Sequence, residues 1–290
     1  MFKRILLFVG TNILVMVLVG LLLSLLGVDQ STSNGLGGLL FICLIWGMVG
    51  SFISLSISRW VAKRSMGLQP IEAHGPYGYV NDMVAKFAHT AKIEMPEVYW
   101  YDSDELNAFA TGPSRNKSLV AVSRGLLQDF DRDEVEGVIG HEVAHIANGD
   151  MVTMALVQGV VNAFVMFLAR IVAIAIDNFL RSDDDGEGLG AIAYFIVVSI
   201  LQVFFGILTA PLVAWFSRQR EYRADEGGAH LAGTQKMIAA LKALDEHMSI
   251  NRLDTNEPSL KAMKISGKGT SIFSTHPALE DRIKALESLR

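Results

Sequence analysis

Residues 131–150 read DRDEVEGVIGHEVAHIANGD, a stretch with a start, an apolar side and a stop. Asp131 and Glu134 have the spacing of a capping box with Asp131 as N-cap. Val135, Val138, Ile139 and Ile146 recur at helical intervals, and Asn148-Gly149 ends the pattern. The stretch reads as one delimited helix. His141 and His145 are i and i+4 on it, so both imidazoles project from one face and can bind one ion. Glu142 points to the side of that pair, where its carboxylate can take a proton from a water that zinc has acidified to a pKa of about 7. A chance H-E-x-x-H in a chain of this composition arises about once in a hundred. The bland alternative is a buried helix with two satisfied histidines.

A catalytic zinc needs a third protein ligand and an open position. No third histidine follows at the spacing H-E-x-x-H-x-x-G-x-x-H; Asn148, Gly149 and Asp150 stand there instead. The candidate is Glu221 in SRQREYRADEGG, with Asp225 one turn on, placed to accept the free N–H of a ligand histidine and fix its tautomer. On an arbitrary helix the pair would be a solvated face answering Arg218 or Arg220.

The chain has 290 residues, of which 51% are hydrophobic, and a net charge of −5. Its mean hydropathy is +0.35, high for a soluble protein. No basic excess advertises nucleic acid. The single cysteine, Cys43, rules out an intramolecular disulfide and reads as a small buried hydrophobe.

The apolar residues fall into four runs: Ile5 to Leu26, Leu39 to Ile57, Met154 to Ile176 and Ala191 to Phe216. Each approaches or exceeds the roughly 20 residues that cross a bilayer. The first run is too long for a signal peptide and no A-x-A site follows it, so it reads as an uncleaved anchor. The third carries Gln158, Asn162 and Arg170, so runs three and four form a tightly packed pair or lie partly outside lipid. Lys3 and Arg4 precede the first run; Arg59, Lys63 and Arg64 follow the second; Arg218, Arg220 and Arg223 follow the fourth. The connecting loops are acidic or uncharged, and Asp183-Asp184-Asp185 reads as a solvated loop. Positive-inside counting then places both termini and the polar segments in the cytoplasm. The expected organisation is a hairpin of two spans (1–58), the first catalytic part (59–150), two further hydrophobic helices (151–216) and the second catalytic part (217–290).

Within the polar segments, Pro76 can open a helix running to Lys92. EVYWYD, ELNAFATG and KSLVAVS read as three strands, the last two a hairpin. Arg124 to Gln128 is a helical turn, and Ala278 to Leu289 a C-terminal helix. His74, His89, His230 and His247 have no partner at ligand spacing.

NAFATG, GLL, HEVAHIANGD, FSRQREYRAD and THPALEDRI, with the N-terminal hairpin of spans, together resemble the HtpX family of membrane-embedded zinc metalloproteases, relatives of the CAAX-prenyl-type endoproteases. The match covers nearly the whole length. The resemblance implies an α+β membrane protein: mostly α, with four hydrophobic helices and a zincin-like cytoplasmic domain carrying a small antiparallel sheet. It implies one Zn2+ per chain on His141, His145 and Glu221, with Glu142 as general base. It also implies cleavage of misfolded or damaged membrane proteins at the cytoplasmic face of a bacterial inner membrane, in company with other quality-control proteases. By the same resemblance, Asn107, Ala108 and Phe109 form an edge strand able to bind substrate backbone, though an ordinary sheet strand explains them equally. His276 would lie near the site and steady the oxyanion, or else is an exposed histidine in a capping turn. The rival readings are a prenyl-protein endoprotease and a membrane chaperone or adaptor with structural zinc. Structural zinc sites are usually closed and often Cys-rich, which a chain with Cys43 alone does not match.

Overall fold

The computed structural model describes residues 35–181, 188–254 and 272–289. The first apolar run, the loop after it and the Asp183–Asp185 run lie outside them.

Twelve elements follow in order among the described residues. They are α1 (Gly35–Ser65), β1 (Gln69–Pro70), α2 (Gly78–Ala91), β2 (Glu97–Tyr101), β3 (Ala108–Ser114), β4 (Lys117–Ser123), α3 (Arg124–Asp129), α4 (Arg132–Asn148), α5 (Asp150–Arg181), α6 (Ala191–Ala232), α7 (Thr234–Asp254) and α8 (Leu279–Glu287). The chain divides into two compact units, one of residues 1–53 and 156–209, the other of 54–155 and 210–290.

Among the described residues, three helices are apolar and long enough to cross a membrane by length and composition: Leu36–Ser65, Asp150–Arg181 and Ala191–Ala232. Large apolar side chains such as Phe41, Phe164, Phe195 and Phe204 are exposed along them, as a lipid-facing surface requires. The polar residues of the third run bond within their own helix: Gln158 donates to Asn162 (2.8 Å) and Arg170 to the Met166 carbonyl (3.2 Å). Cys43 is buried, as a small hydrophobe should be. The helix of the fourth run extends past Phe216: it spans 42 residues, Ala191–Ala232, with Pro211 inside it, and Glu221 and Asp225 lie on it.

The second unit is built on a four-stranded sheet of order β1-β2-β4-β3. The expected antiparallel sheet is mixed instead. β3 and β4 form the hairpin (Ala108 opposite Val122, Thr111 opposite Leu119), but β4 then lies beside β2 and runs parallel to it, Glu97 opposite Leu119 and Tyr101 opposite Ser123. The reason lies in burial. Ser118 to Ser123 are all buried, and such a run is stable only as a central strand covered on both faces. β3 is left at the edge. The helix expected from Pro76 starts later, at Gly78 with Tyr77 as N-cap, because Glu72 to Gly78 form tight turns first.

The core gathers Val80, Val84 and Phe87 of α2, Val120 and Val122 of β4, and Val135, Ile139, Val143 and Ile146 of α4. α4 thus lies between the sheet, α2 and α7. Asp131 accepts from the Glu134 N–H and Glu134 accepts from the Asp131 N–H, completing the capping box. Gly149 ends the helix at φ 70°, a left-handed conformation that glycine adopts without strain. Buried Glu136 on α4 accepts from Lys86 of α2 and Lys236 of α7, which ties its two helical neighbours to it.

Candidate metal centre and active site

All the groups of the candidate site belong to the second unit. α4 presents His141 and His145 with ring centroids 4.6 Å apart, edge to face. α6 lies against them along a face of Glu221, Asp225, Gly228 and Ala232, spaced i, i+4, i+7 and i+11. Gly228 is required there: a Cβ on it would sit 3.0 Å from the His141 backbone nitrogen. Shape alone therefore lets α6 approach closely enough to set Glu221 over the two imidazoles.

The Glu221 carboxylate lies 3.6 Å from His141 Nε2 and 3.5 Å from His145 Nε2. The ligand atoms of these three residues all fall within 4.8 Å of one another. Each imidazole is fixed from behind. His141 Nδ1 is 2.9 Å from Asp225 Oδ1, and His145 Nδ1 is 2.6 Å from Asp150 Oδ2. With both Nδ1–H groups donated to carboxylates, the lone pairs on the two Nε2 atoms face a third electron-pair donor. Three donors converging on one point fit a cation, and His2Glu is the donor set of a hydrolytic zinc site. In the metal-free chain the carboxylates favour protons on the same rings. Burial works against the charged form of His145, but its hydrogen bonds to Asp150 and Glu221 outweigh it and push the imidazole up to about 9. His141 is likewise raised: burial opposes, and Asp225 and Glu221 prevail.

The sequence reading placed Asp225 behind a ligand histidine, and that contact is present. It missed two partners. Asp150 stands just past the Gly149 turn that swings it back onto His145; a carboxylate immediately after the helix stop was the available signal. Arg282, in the THPALEDRI motif, is 6% exposed and grips Asp225 through both carboxylate oxygens, Nε to Oδ2 at 2.7 Å and Nη2 to Oδ1 at 2.5 Å. No spacing rule reaches across the 57 residues between them.

His276 is also brought in, its Nδ1 2.9 Å from Glu221 Oε2 although its side chain is 66% exposed. A cavity of about 190 Å3 adjoins these groups, lined by Asn107, Ala108, His141, Glu142, Glu221 and His276 among others. Asn107 and Ala108 thus reach the cleft, at the start of edge strand β3. Phe109 does not: its ring packs on Tyr101 with centroids 5.9 Å apart and joins Leu119 and Ala121, because alternate residues of a strand face opposite sides.

Residues 76–290 match the model of peptidase family M48. The chain belongs to that family. It is 50% identical to Protease HtpX of Shewanella pealeana and to Protease HtpX of Shewanella oneidensis, over 99% of each chain in both cases. In fold it is similar to the crystal structure of S. mikatae Ste24p, with a TM-score of 0.61 at 18% identity, covering 86% of this chain and 58% of that one. With its apolar helices the chain is a membrane metalloprotease, and M48 membership implies a metal for which His141, His145 and Glu221 supply the donors.

Proposed function

We propose that the chain is a zinc-dependent endopeptidase that cleaves misfolded or damaged membrane proteins on the cytoplasmic side of a bacterial inner membrane. The observation that carries the chemistry is the convergence of two imidazole Nε2 atoms on the Glu221 carboxylate, each ring fixed by a buried aspartate. His141, His145 and Glu221 would hold the ion. When bound, zinc supplies Lewis acidity, making water nucleophilic near neutral pH and polarising a carbonyl. Glu142, buried beside His141 and open to the cavity, takes the proton from the attacking water and delivers it to the leaving amine. Asp225 and Asp150 keep both rings in the tautomer that leaves Nε2 free. His276, exposed and lining the same cavity, would donate to the developing oxyanion. The backbone at Asn107-Ala108 lines the same cleft and offers a strand edge to an extended substrate.

Glu142→Gln tests the assignment. Zinc content of the purified chain in detergent should be unchanged while cleavage of casein or of a membrane-protein substrate disappears; normal cleavage by the variant would sink it. The quality-control role rests on the similarity to HtpX proteases, and the orientation on the distribution of Lys and Arg. Reporter fusions in the 177–191 loop should read as periplasmic; a cytoplasmic signal would reverse the topology.

A further inference from the structure

We propose that the cavity beside the metal ligands is a specificity pocket selecting one medium-sized aliphatic side chain next to the scissile bond. The proposal rests on the peptidase reading above. Its polar lining is Asn107, His141, Glu142, Glu221, His276 and Arg282. Its apolar lining includes Leu126, Val138, Met237, Ala240, Leu241 and Leu244. Met237, Ala240, Leu241 and Leu244 are one face of α7 at i, i+3, i+4 and i+7, so a single helix supplies much of the apolar wall. Of these, Leu126, Met237, Ala240 and Leu241 are buried in the fold already, so the wall is preformed. An apolar cavity of about 150 Å3 takes one benzene. At about 190 Å3, shared with the reacting groups, this one takes Leu or Met and excludes an indole. Arg282, which also lines the cavity, is already paired with Asp225, so burial of a Lys or Asp there would be strongly unfavourable. At roughly fourfold per buried methylene, Leu should exceed Ala at this position by about 50-fold in kcat/KM.

The test uses the full chain in detergent, loaded with zinc. A peptide series is varied on either side of the cleaved bond through Gly, Ala, Val, Leu, Met, Phe, Trp and Lys. The expected optimum is Leu or Met on one side. Half-buried Leu244 tunes it: Leu244→Ala moves the optimum to Phe, and Leu244→Phe moves it to Ala. Binding of the uncleaved peptides to the Glu142→Gln chain, read by fluorescence anisotropy, follows the same order. A flat profile, a charged optimum, or an optimum that ignores both Leu244 variants would overturn the pocket. A chain that holds zinc yet cleaves neither the peptides nor casein would overturn the peptidase reading instead.

A separate set of contacts carries a second assignment: we infer that Arg218 is the positioning residue for His276. His276 is too exposed to be held by packing. Arg218 Nη1 donates to the Ser274 carbonyl at 2.7 Å, and Ser274 Oγ donates to the His276 carbonyl at 2.7 Å. Arg218 and Glu221 lie one turn apart on α6, so one helix face supplies both the carboxylate that meets His276 Nδ1 and the grip on the strap behind it. Arg218→Ala should lower kcat by the same factor as His276→Ala, and the double variant should be no slower than His276→Ala alone. Hydrogen exchange in the 272–278 peptide should rise in Arg218→Ala and return partly in Arg218→Lys, with zinc content constant throughout. Additive losses, unchanged exchange, or loss of zinc would overturn the assignment.

Discussion

Removing the guanidinium of Arg282 should damage the chain more than its distance from the reacting atoms suggests. Arg282→Met keeps the apolar stem and leaves the Asp225 carboxylate, itself 2% exposed, facing the His141 N–H without the guanidinium. Two charge-assisted bonds of 2.7 and 2.5 Å are lost. Breaking a buried pair this way costs about 3–5 kcal/mol, because the surviving charge cannot be rehydrated. For a unit of this size that corresponds to a fall in Tm of roughly 6–20 °C. The second consequence is local. Asp225 without its clamp orients His141 poorly, and loss of such a partner weakens zinc by roughly 10- to 100-fold. Both quantities are measurable on purified protein in detergent, by thermal unfolding of the chelator-treated chain and by zinc competition against a chromophoric chelator. The double variant Arg282→Met with Asp225→Asn isolates the cause. It removes the stranded charge, so unfolding should recover part of the loss. A single variant that unfolds within about 0.5 kcal/mol of the parent, or a double variant worse than the sum of the two singles, would refute the account.

Asp150→Asn should weaken zinc roughly 10- to 100-fold while leaving the fold intact, since the amide keeps the shape but not the charge behind His145; unaltered affinity in the same competition assay would remove Asp150 from the site. In the zinc-free chain, His145 is held at about 9 against about 6.5 when unfolded. Because its folded pKa is raised, the linked stability, about 3 kcal/mol, is fully present below pH 6.5 and lost as pH rises through 9. Unfolding of chelator-treated protein should show that decline, and a midpoint flat across the window would contradict it. Gly228→Ala forces a methyl group against the His141 backbone and should cost about 1–3 kcal/mol by overpacking, with zinc affinity falling in parallel; a neutral result would mean that α6 is not seated as described. Asp131→Ala removes the capping box and should cost about 0.5–2 kcal/mol with zinc affinity retained.

What the sequence disclosed is what depends on neighbours along the chain. The helix of His141 and His145 was legible because its cap, apolar side and glycine stop are local signals. The hairpin of β3 and β4 was legible from its turn residues. The antiparallel expectation for the sheet failed at β2, whose partner is chosen by which strand needs covering on both faces, a property of the assembled core. The fourth apolar run stops in the sequence at Phe216, where arginines begin, but the helix continues through them to Ala232. Of the carboxylates behind the histidines, Asp225 was reachable by helical spacing from Glu221, while Asp150 required the path of the chain after Gly149. Arg282 was hidden because a buried arginine looks like any surface arginine until its partner is in place.

Arg218, Glu221, Asp225 and Gly228 share one face of one helix, so they are locked in angular phase. A single inserted residue between Arg218 and Glu221 would turn everything beyond it by about 100°, swinging the carboxylate off the imidazoles and presenting a side chain where Gly228 allows contact. Substitutions in this stretch alter one contact each, whereas a change of length there puts Glu221, Asp225 and Gly228 out of phase with Arg218 at once. An insertion of one alanine should therefore be more damaging than alanine at any one of these positions, and an insertion of seven, which nearly restores the phase after two turns, should still fail because the shift of about 10 Å along the axis carries Glu221 past its partners.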